Sequence, residues 1–461
     1  MGILGAIAVP HPPIILPEVG RGEEKKIQKT IDAYREAARR AAALAPDTLV
    51  ISSPHATMYA DYFHVSPGEE ARGDFGDFRA PGVKLVAHYD TEFVKALEGQ
   101  LAAAGVPGGT KAERMPRLDH GTMIPLRYLQ EVLPDVKIVR AGLSGLSPMM
   151  HYRFGECVAR TAALLGRRVV YVASGDLSHK LLAEGPYGFA AEGPVFDKEC
   201  TEALGAADFL RLLSIDADLA EGAAECGLRS FWMMAGALDR HAVKSELLSY
   251  EGTFGVGYGV ATFEVTGKDA SRAVGDDFGK AQKSRLAARK AAEDEYVRLA
   301  RYSLESFVRT GKRVDAPNDL PAELSGRKAG AFVSLKKDGM LRGCIGTILP
   351  VTGSLGQEIV RNAVSAASED PRFSPVREDE LDSLVYSVDV LTEPEPVASE
   401  SELDPKRYGV IVESGGRRGL LLPDLAGVDT VAEQVGIARR KGGIGPGEPV
   451  KLWRFEVVRH H

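Results

Sequence analysis

Three apolar runs in the first half of the chain each end in a short polar loop that carries a histidine. Residues 3–9 lead to His11, residues 48–51 to His55, and residues 169–173 to His179. Consecutive apolar residues are typical of strands that are covered on both faces, as in a parallel sheet flanked by helices. Ligands of such sheets collect beyond the carboxyl ends of the strands. The pattern therefore predicts that the three histidines meet at one edge of a sheet.

The segments around these runs alternate in the manner of an α/β protein. Further strands are predicted at 83–88, 136–141, 243–250 and 258–265, and helices at 23–45, 92–104, 124–133, 149–165, 196–206 and 226–238. Pro46 ends the first of these helices. The alternation predicts a first domain, residues 1–267, in which helices flank a central, mostly parallel sheet.

A change of composition marks the end of this domain. Residues 268–289 are rich in Lys, Ala, Asp, Ser and Arg without apolar periodicity, which is typical of a linker. Residues 290–459 are predicted to form a smaller α+β domain. Its expected helices are 294–310, 354–367 and 430–440, and its expected strands are 331–335, 340–348, 386–391, 410–412, 419–422 and 450–457. Lys337-Asp338-Gly339 predicts a hairpin turn between the first two strands.

Composition narrows the setting in which the protein works. The chain has 461 residues, of which 44% are apolar, and a formal net charge of −7 with both signs interspersed. These values predict a cytoplasmic protein of two domains without an extended basic surface for nucleic acid. No apolar run approaches the roughly 18 residues of a membrane span. Four widely spaced cysteines without a CxxC pair argue against a disulfide framework and a zinc ribbon.

The histidines at the strand ends have the chemistry of metal ligands. Two neutral imidazoles and one carboxylate on one face of an iron ion leave adjacent positions open for a bidentate substrate and dioxygen. We predict that His11 and His55 form the imidazole pair. The alternative is that each ring only caps a strand end by hydrogen bonding.

Two neighbouring residues compete for the position of the third ligand. Glu225 and Cys226 open an apolar helix, and successive helical residues point about 100° apart, so only one of them is expected to face the metal. Glu225 would complete an oxygen-activating iron site, whereas a Cys226 thiolate would favour softer or redox-active ions. Glu251 is a further candidate. Alternatively, Glu225 stabilises a helix start and Cys226 is a small buried residue.

His120 and His179 remain for proton transfer, because an imidazole takes up and releases protons around neutral pH. Asp176 is predicted to orient one of these two rings, and Asp119 is predicted to orient His120. The alternative for His120 is a turn residue that packs on the following helix.

Five motifs of the first domain occur together: Pro10-His11-Pro12-Pro13, Ser53-Pro54-His55, Asp119-His120-Gly121, Ser174-Gly175-Asp176-Leu177-Ser178-His179 and the apolar segment 232–238. Together they resemble the LigB-type class III extradiol dioxygenases and their relatives, the Memo proteins. The resemblance spans roughly residues 1–267. It implies an extradiol-dioxygenase-like fold for the first domain.

The two branches of this resemblance imply different chemistry. The dioxygenase branch implies that His11 and His55 bind Fe(II) with a carboxylate near Glu225, and that the other two motif histidines act as acid and base. In those enzymes the iron binds a catecholate and O2, and a ring bond next to the diol is broken. The Memo branch, which Cys226-Gly227 resembles, implies a cysteine as the third ligand without established ring cleavage.

The second domain carries its own motif, Leu341-Arg342-Gly343-Cys344-Ile345-Gly346. With Glu369-Asp370-Pro371-Arg372-Phe373-Ser374-Pro375, it resembles the AMMECR family over about residues 290–459. Arg342, Cys344 and Arg372 are its candidate site residues, although Cys344 has the alternative reading of a small buried side chain. The fusion of the two domains is similar to the AmmeMemoRadiSam set, which implies a radical SAM partner. The chain has no CxxxCxxC motif and cannot be that partner itself.

The sequence leads to three hypotheses of function. The first is a non-haem Fe(II) dioxygenase, or a related oxidoreductase, acting on a small aromatic or diol-bearing substrate. The second is a Memo-like metal-binding component that works with a radical SAM partner in a modification pathway. The third is zinc hydrolysis, because His, His and Glu with water also form a zinc site. Fe(II) is the expected metal, with Zn or Cu as alternatives, and a homo-oligomer is included among the expected assemblies.

Overall fold

The computed structural model describes residues 2–111, 113, 115–425 and 427–461. Contacts within the chain divide it into two compact units, Met1–Ala281 and Gln282–His461. This division falls inside the segment 268–289 that was predicted as a linker, and the exact domain bounds stay a prediction. Much of that segment is helical, in a helix over Val274–Ala292 whose Phe278 is buried.

The N-terminal unit is built on a six-stranded, mostly parallel sheet, as the sequence predicts. The strands of the unit are β1 (Ile3–Val9), β2 (Thr48–Ser53), β3 (Phe63–His64), β4 (Glu70–Phe75), β5 (Ala80–His88), β6 (Gly108–Gly109), β7 (Lys137–Gly142), β8 (Val169–Ser174), β9 (His241–Glu251) and β10 (Tyr258–Lys268). The order across the main sheet is β7-β2-β8-β1-β10-β9. The first four of these run parallel, and β10 and β9 are antiparallel additions.

Helices cover both faces of this sheet. The helices that begin in this unit are α1 (Pro17–Gly20), α2 (Gln28–Ala43), α3 (Thr91–Ala103), α4 (His120–Gln130), α5 (Pro148–Leu165), α6 (Glu192–Ala206), α7 (Phe209–Ser214), α8 (Ala217–Ala223), α9 (Leu228–Ala237) and α10 (Val274–Ala292), and α10 continues past the unit boundary at Ala281. Along β8, Val170 and Val172 belong to one buried apolar cluster, and Tyr171 and Ala173 belong to another. Alternate residues of a strand point to opposite faces, so both faces of β8 are covered and its consecutive apolar residues are explained.

The start of α4 differs from the prediction in a way that matters to the site. The helix begins at His120, earlier than the predicted residue 124, because the Asp119 carboxylate accepts a hydrogen bond from the Thr122 N–H at 2.9 Å and caps the helix. His120 therefore lies in the first turn of a helix rather than in a turn before it.

Two glycines allow α5 and α9 to cross in close contact. A Cβ at Gly236 would lie 1.8 Å from the Tyr152 carbonyl oxygen, and a Cβ at Gly155 would lie 1.9 Å from the Met233 carbonyl oxygen. Both obstacles are backbone atoms, so a change of rotamer cannot relieve either clash. The crossing fixes the position of α9, which begins just after Cys226.

We expect Gly236→Ala to lower the free energy of unfolding of the N-terminal unit by about 1–3 kcal/mol, the usual cost of overpacking. Gly279→Ala is the matched control, because Gly279 is also helical but no atom of the described residues lies within 4 Å of its Cβ position. Gly279→Ala is expected to gain about 0.5–1 kcal/mol from the higher helix propensity of alanine. Denaturant unfolding followed by circular dichroism measures both, and equal stabilities would contradict the packing argument.

The C-terminal unit is an α+β module of antiparallel sheets. Its helices are α11 (Glu295–Thr310), α12 (Ala322–Ser325), α13 (Leu355–Ser368) and α14 (Val431–Lys441), and its strands are β11 (Ala331–Lys337), β12 (Met340–Gly346), β13 (Leu384–Leu391), β14 (Glu395–Val397), β15 (Gly409–Ser414), β16 (Arg417–Leu421), β17 (Lys451–Phe455) and β18 (Val457–His460). The two four-stranded sheets have the orders β12-β11-β13-β18 and β14-β17-β15-β16.

The predicted hairpin is the pair β11 and β12. Asp338 and Gly339 of its turn have φ values of 52° and 81°, the left-handed conformations that a tight two-residue hairpin turn requires. Among the described residues of both units, no helix combines the length and the apolar character needed to cross a membrane.

Candidate metal centre

Three neighbouring parallel strands deliver histidines to one edge of the main sheet. β1, β8 and β2 lie side by side, and they are followed by His11, His179 and His55. The ring centroids of His11 and His55 are 4.8 Å apart. His120 joins them from α4, with its ring centroid 4.0 Å from that of His55 and 5.5 Å from that of His11. The structure thus brings the predicted imidazole pair and a third histidine together.

Cys226 completes a group that can hold a metal ion. The Nε2 atoms of His11 and His55 lie 3.0 Å apart, and the Cys226 Sγ lies 3.7 Å from the His11 Nε2. The three ligand atoms all lie within 4.8 Å of one another. Two imidazoles and one thiol are a donor set that suits zinc, iron and copper. The residues present therefore fit a metal of the kind that the sequence predicts.

Burial prepares both imidazoles for this role. Burial, and after it the neighbouring His55, lower the pKa of His11 well below its ordinary value. His55 is exposed at its surface side, but partial burial of its ring also lowers its pKa. Both rings are therefore neutral at physiological pH, which is the form of histidine that binds metals.

Cys226 reaches the histidines because two glycine backbones touch. A Cβ at Gly175 would lie 2.1 Å from the Gly227 Cα. At this contact the Asp176 N–H donates a hydrogen bond to the Cys226 Sγ at 3.3 Å. Burial, together with the carboxylates of Asp176 and Glu225, raises the pKa of the Cys226 thiol well above its usual value. A bound cation would reverse this shift, because a coordinating thiol is deprotonated.

The competing carboxylates make hydrogen bonds elsewhere. The Glu225 carboxylate accepts a hydrogen bond from the Leu228 N–H at 2.6 Å, at the start of α9, and burial raises the pKa of Glu225 to about 7. The Glu251 carboxylate accepts hydrogen bonds from the N–H and the hydroxyl of Thr30, both at 2.7 Å. Of the three alternatives, the structure therefore brings Cys226 to the histidine pair, and Glu225 stabilises a helix start instead.

The residues predicted for proton transfer surround this group. The Asp176 Oδ2 lies 4.0 Å from the His11 Nε2, and burial raises the pKa of Asp176 to about 6. Burial, together with His55 and His11, lowers the pKa of His120 to about 3, so this ring is neutral across the physiological range. The Nδ1 of His179 is buried and has no hydrogen-bond partner among the described residues.

Asp119 was predicted to orient His120. Its carboxylate instead connects the loop that carries His55 with the start of α4. Its carboxylate accepts hydrogen bonds from the Ser53 hydroxyl at 2.6 Å and the Thr122 N–H, and pairs with Arg140 at 2.9 Å. Burial alone would raise the pKa of Asp119, but Arg140 and these hydrogen bonds outweigh it and lower the pKa. The Ser53 hydroxyl also accepts the His55 N–H, so the network joins the His55 loop to α4.

The candidate residues of the C-terminal unit divide into two groups. The Asp370 carboxylate accepts the Cys344 N–H at 2.9 Å and pairs with Arg372 at 2.7 Å, so Cys344 and Arg372 lie together. Arg342 pairs with Glu380 at 3.0 Å, and hydrogen bonding from Arg342 lowers the pKa of Glu380 to about 2. Arg342 is thus engaged in an internal ion pair.

Comparison with known proteins adds the family to this geometry. A family model described as the catalytic LigB subunit of aromatic ring-opening dioxygenase matches residues 5–261, more than half of the chain. The chain belongs to the LigB family. A second family model, AMMECR1, matches residues 297–460. The predicted resemblances to the LigB and AMMECR families are therefore confirmed, and the candidate metal centre lies in the LigB domain.

The similarity to individual proteins covers one or both domains of the chain. A protein of Clostridium acetobutylicum is 42% identical over 468 residues, which covers 100% of this chain and 99% of that protein. A Thermotoga maritima protein is 55% identical over 170 residues, 36% of this chain and 98% of its own length. Among solved structures, a Pyrococcus horikoshii protein is 35% identical over 36% of this chain and 88% of its own, with a TM-score of 0.33. An Escherichia coli K12 protein is 16% identical over 57% of this chain and 99% of its own, with a TM-score of 0.38.

Proposed function

We propose that the LigB domain is a metal-dependent oxidoreductase that acts on a small aromatic or diol-bearing substrate. The observation that carries the proposal is the cluster of His11, His55 and Cys226, whose ligand atoms lie within 4.8 Å of one another. Three protein ligands leave coordination positions open for a substrate. The family supports the reaction class, because its description is that of an aromatic ring-opening dioxygenase.

Iron is the metal proposed first, with copper second. Fe(II) in this position would supply redox chemistry toward O2 and Lewis acidity toward the oxygens of a diol. A thiolate ligand favours redox-active or softer ions over hard ones. The zinc-hydrolysis hypothesis rested on a donor set of two histidines and Glu225, and Glu225 bonds to the Leu228 N–H instead. Zinc stays an alternative metal, because two imidazoles and a thiolate also bind it.

The residues beside the cluster are proposed to bind and orient the substrate. The buried Nδ1 of His179 has no hydrogen-bond partner within the described part of the chain, and we propose that it forms a hydrogen bond with a substrate hydroxyl. The Asp176 carboxylate accepts a hydrogen bond from the His11 N–H at 2.8 Å and so holds the backbone of His11. His120 is packed between the ligand rings and Phe78, whose ring centroid is 5.2 Å from that of His120, and this packing holds the His120 ring beside the cluster.

Anaerobic loading with Fe(II), followed by O2 uptake with a panel of catechols, tests the proposal. We expect O2 consumption that depends on both iron and a catechol, with both oxygen atoms of labelled O2 found in the product. His55→Gln serves as a control that removes one proposed ligand and should abolish the uptake. If the protein holds iron but converts none of the catechols, the proposal of a ring-cleaving reaction is wrong.

A second candidate function is a Memo-like metal-binding component that works with a radical SAM enzyme. The thiol of Cys226, in the place where ring-cleaving enzymes are expected to have a carboxylate, favours it. In this case the AMMECR1 domain would dock the partner or present a substrate. Metal content without catechol conversion, together with co-purification of the full chain and a radical SAM protein, would support this function over the first.

A further inference from the structure

The hydroxyl group of Ser174 contacts the His11 ring and the backbone of α4 at the same time. Its Oγ lies 2.9 Å from the His11 Nδ1 and 2.6 Å from the Gly121 carbonyl oxygen. A carbonyl oxygen only accepts hydrogen bonds, and a hydroxyl has one proton to donate. Ser174 therefore donates to Gly121, and it must accept its second hydrogen bond from the His11 Nδ1–H.

The position of this proton decides which nitrogen of His11 can bind a metal. A neutral imidazole carries one proton, so a proton on Nδ1 leaves the lone pair on Nε2. The His11 Nε2 is the atom that faces the His55 Nε2 at 3.0 Å and the Cys226 Sγ at 3.7 Å. The 3.0 Å contact between the two Nε2 atoms is compatible with this tautomer, because the contact requires a proton on only one of them and His55 can donate it.

Among the described residues, the Ser174 hydroxyl is the hydrogen-bond partner found for the His11 Nδ1–H, and both groups are buried. The side chain of Ser174 is fully buried, and His11 is 2% exposed. Bulk water therefore cannot take over the hydrogen bond to Nδ1 if the hydroxyl is removed. The Ser174 hydroxyl is held in turn by Gly121, next to His120 in the first turn of α4. The Ser174 hydroxyl thus connects the His11 ring with the first turn of α4.

We propose that Ser174 is a positioning residue that fixes the tautomer and orientation of His11 and so presents its Nε2 to the metal. The part of this proposal that concerns the metal rests on the proposed function. The tautomer itself is a property of the metal-free chain. Residues that form hydrogen bonds with metal ligands commonly orient those ligands in this way, and the loss of such a residue lowers metal affinity about 10–100-fold.

The test uses the full chain, metal-free and labelled with 15N-histidine, in two-bond 1H–15N correlation spectra. His11→Gln assigns the His11 signals. We expect His11 of the wild type to carry its proton on Nδ1. In Ser174→Ala the tautomer with the proton on Nε2 should become populated, and affinity for Fe(II), measured by competition with a chelator, should fall about 10–100-fold. Ser174→Thr keeps a hydroxyl and should restore both properties.

Ser303→Ala is the matched control, because Ser303 is also buried and its hydroxyl donates to a carbonyl oxygen, that of Val360, at 2.8 Å in the C-terminal unit. It should change neither the His11 tautomer nor the metal affinity. A wild-type His11 with its proton on Nε2, or an unchanged tautomer in Ser174→Ala, overturns the proposal. If Ser174→Ala does not fold, the wild-type spectrum decides. An Nδ1–H tautomer that depends on Ser174, in a chain that binds no metal, would refute the proposed function and leave the assignment of Ser174 standing.

Discussion

Replacing Cys226 with serine is expected to weaken Fe(II) binding by at least about 100-fold. The loss of a residue that only hydrogen-bonds to a ligand already lowers metal affinity about 10–100-fold, and the loss of a ligand should lower it more. The Cys226 Sγ is one of three ligand atoms within 4.8 Å of one another, and a hydroxyl is a far poorer ligand for such ions than a thiolate. Glu225→Gln is not expected to weaken binding, because the Glu225 carboxylate bonds to the Leu228 N–H, an amide oxygen can accept the same bond, and the loss of the negative charge favours the Cys226 thiolate.

Cobalt(II) makes the comparison direct, since a cysteine ligand adds a thiolate-to-metal absorption band in the near ultraviolet. The wild type and Glu225→Gln should show this band, and Cys226→Ser should lack it. Competition with a chelator then gives the affinities for Fe(II). Circular dichroism checks that both variants are folded. Retention of the metal by Cys226→Ser together with its loss from Glu225→Gln would show that the carboxylate is the ligand.

The sequence was sufficient for the architecture of the first domain because its strands are covered on both faces. Apolar residues at consecutive positions, as over residues 169–173, leave few alternatives to a buried parallel strand. A histidine just beyond each strand then had to lie at the shared carboxyl edge. The convergence of His11 and His55 could therefore be predicted without any knowledge of side-chain contacts.

The third candidate ligand could not be predicted in this way. Glu225 and Cys226 are neighbours, and the choice between them depends on the contact of Gly175 with Gly227. These glycines come from distant parts of the chain, and no local pattern reports their approach. The sequence therefore left both residues open.

The sequence did not predict the structural roles of Ser174 and Arg140, two polar residues that support the site, for related reasons. Ser174 ends β8 and opens one of the site motifs, but its partners come from the loop after β1 and from α4, which the sequence pattern does not bring together. Arg140 did leave a signal, because it is a charged residue inside the apolar strand β7. A buried arginine requires a carboxylate partner, and Asp119 of the site motif is that partner. The signal could have indicated the pair, but not its connection to Ser53.

Breaking the Asp119–Arg140 pair is expected to lower the free energy of unfolding of the LigB domain by about 3–5 kcal/mol, the usual cost of leaving one member of a buried pair alone. The two side chains are 3% and 1% exposed. Asp119→Asn and Arg140→Met should each have this effect. The double variant should lose less than the sum, because it leaves no isolated charge.

Denaturant unfolding followed by the fluorescence of Trp232 measures these effects in a Trp453→Phe background, since the chain has two tryptophans. Arg168→Met is the matched control in the same domain. Arg168 and its partner Asp47 are 40% and 39% exposed, and an exposed pair contributes only about 0–1 kcal/mol. Equal losses in Arg168→Met and Arg140→Met would contradict the role of burial.

The pH dependence gives an independent check on the charge of Asp119. Burial opposes ionisation, but Arg140 and the hydrogen bonds from Ser53 and Thr122 outweigh it and lower the pKa of Asp119. A carboxyl group with a lowered pKa in the folded state contributes stability above its unfolded pKa of about 4, and loses it as the pH falls through the folded value. The stability difference between the wild type and Asp119→Asn should therefore be constant near neutral pH and shrink below about pH 4. A difference that stayed constant into acid would mean that the lost hydrogen-bond geometry, rather than the lost charge, destabilises the variant.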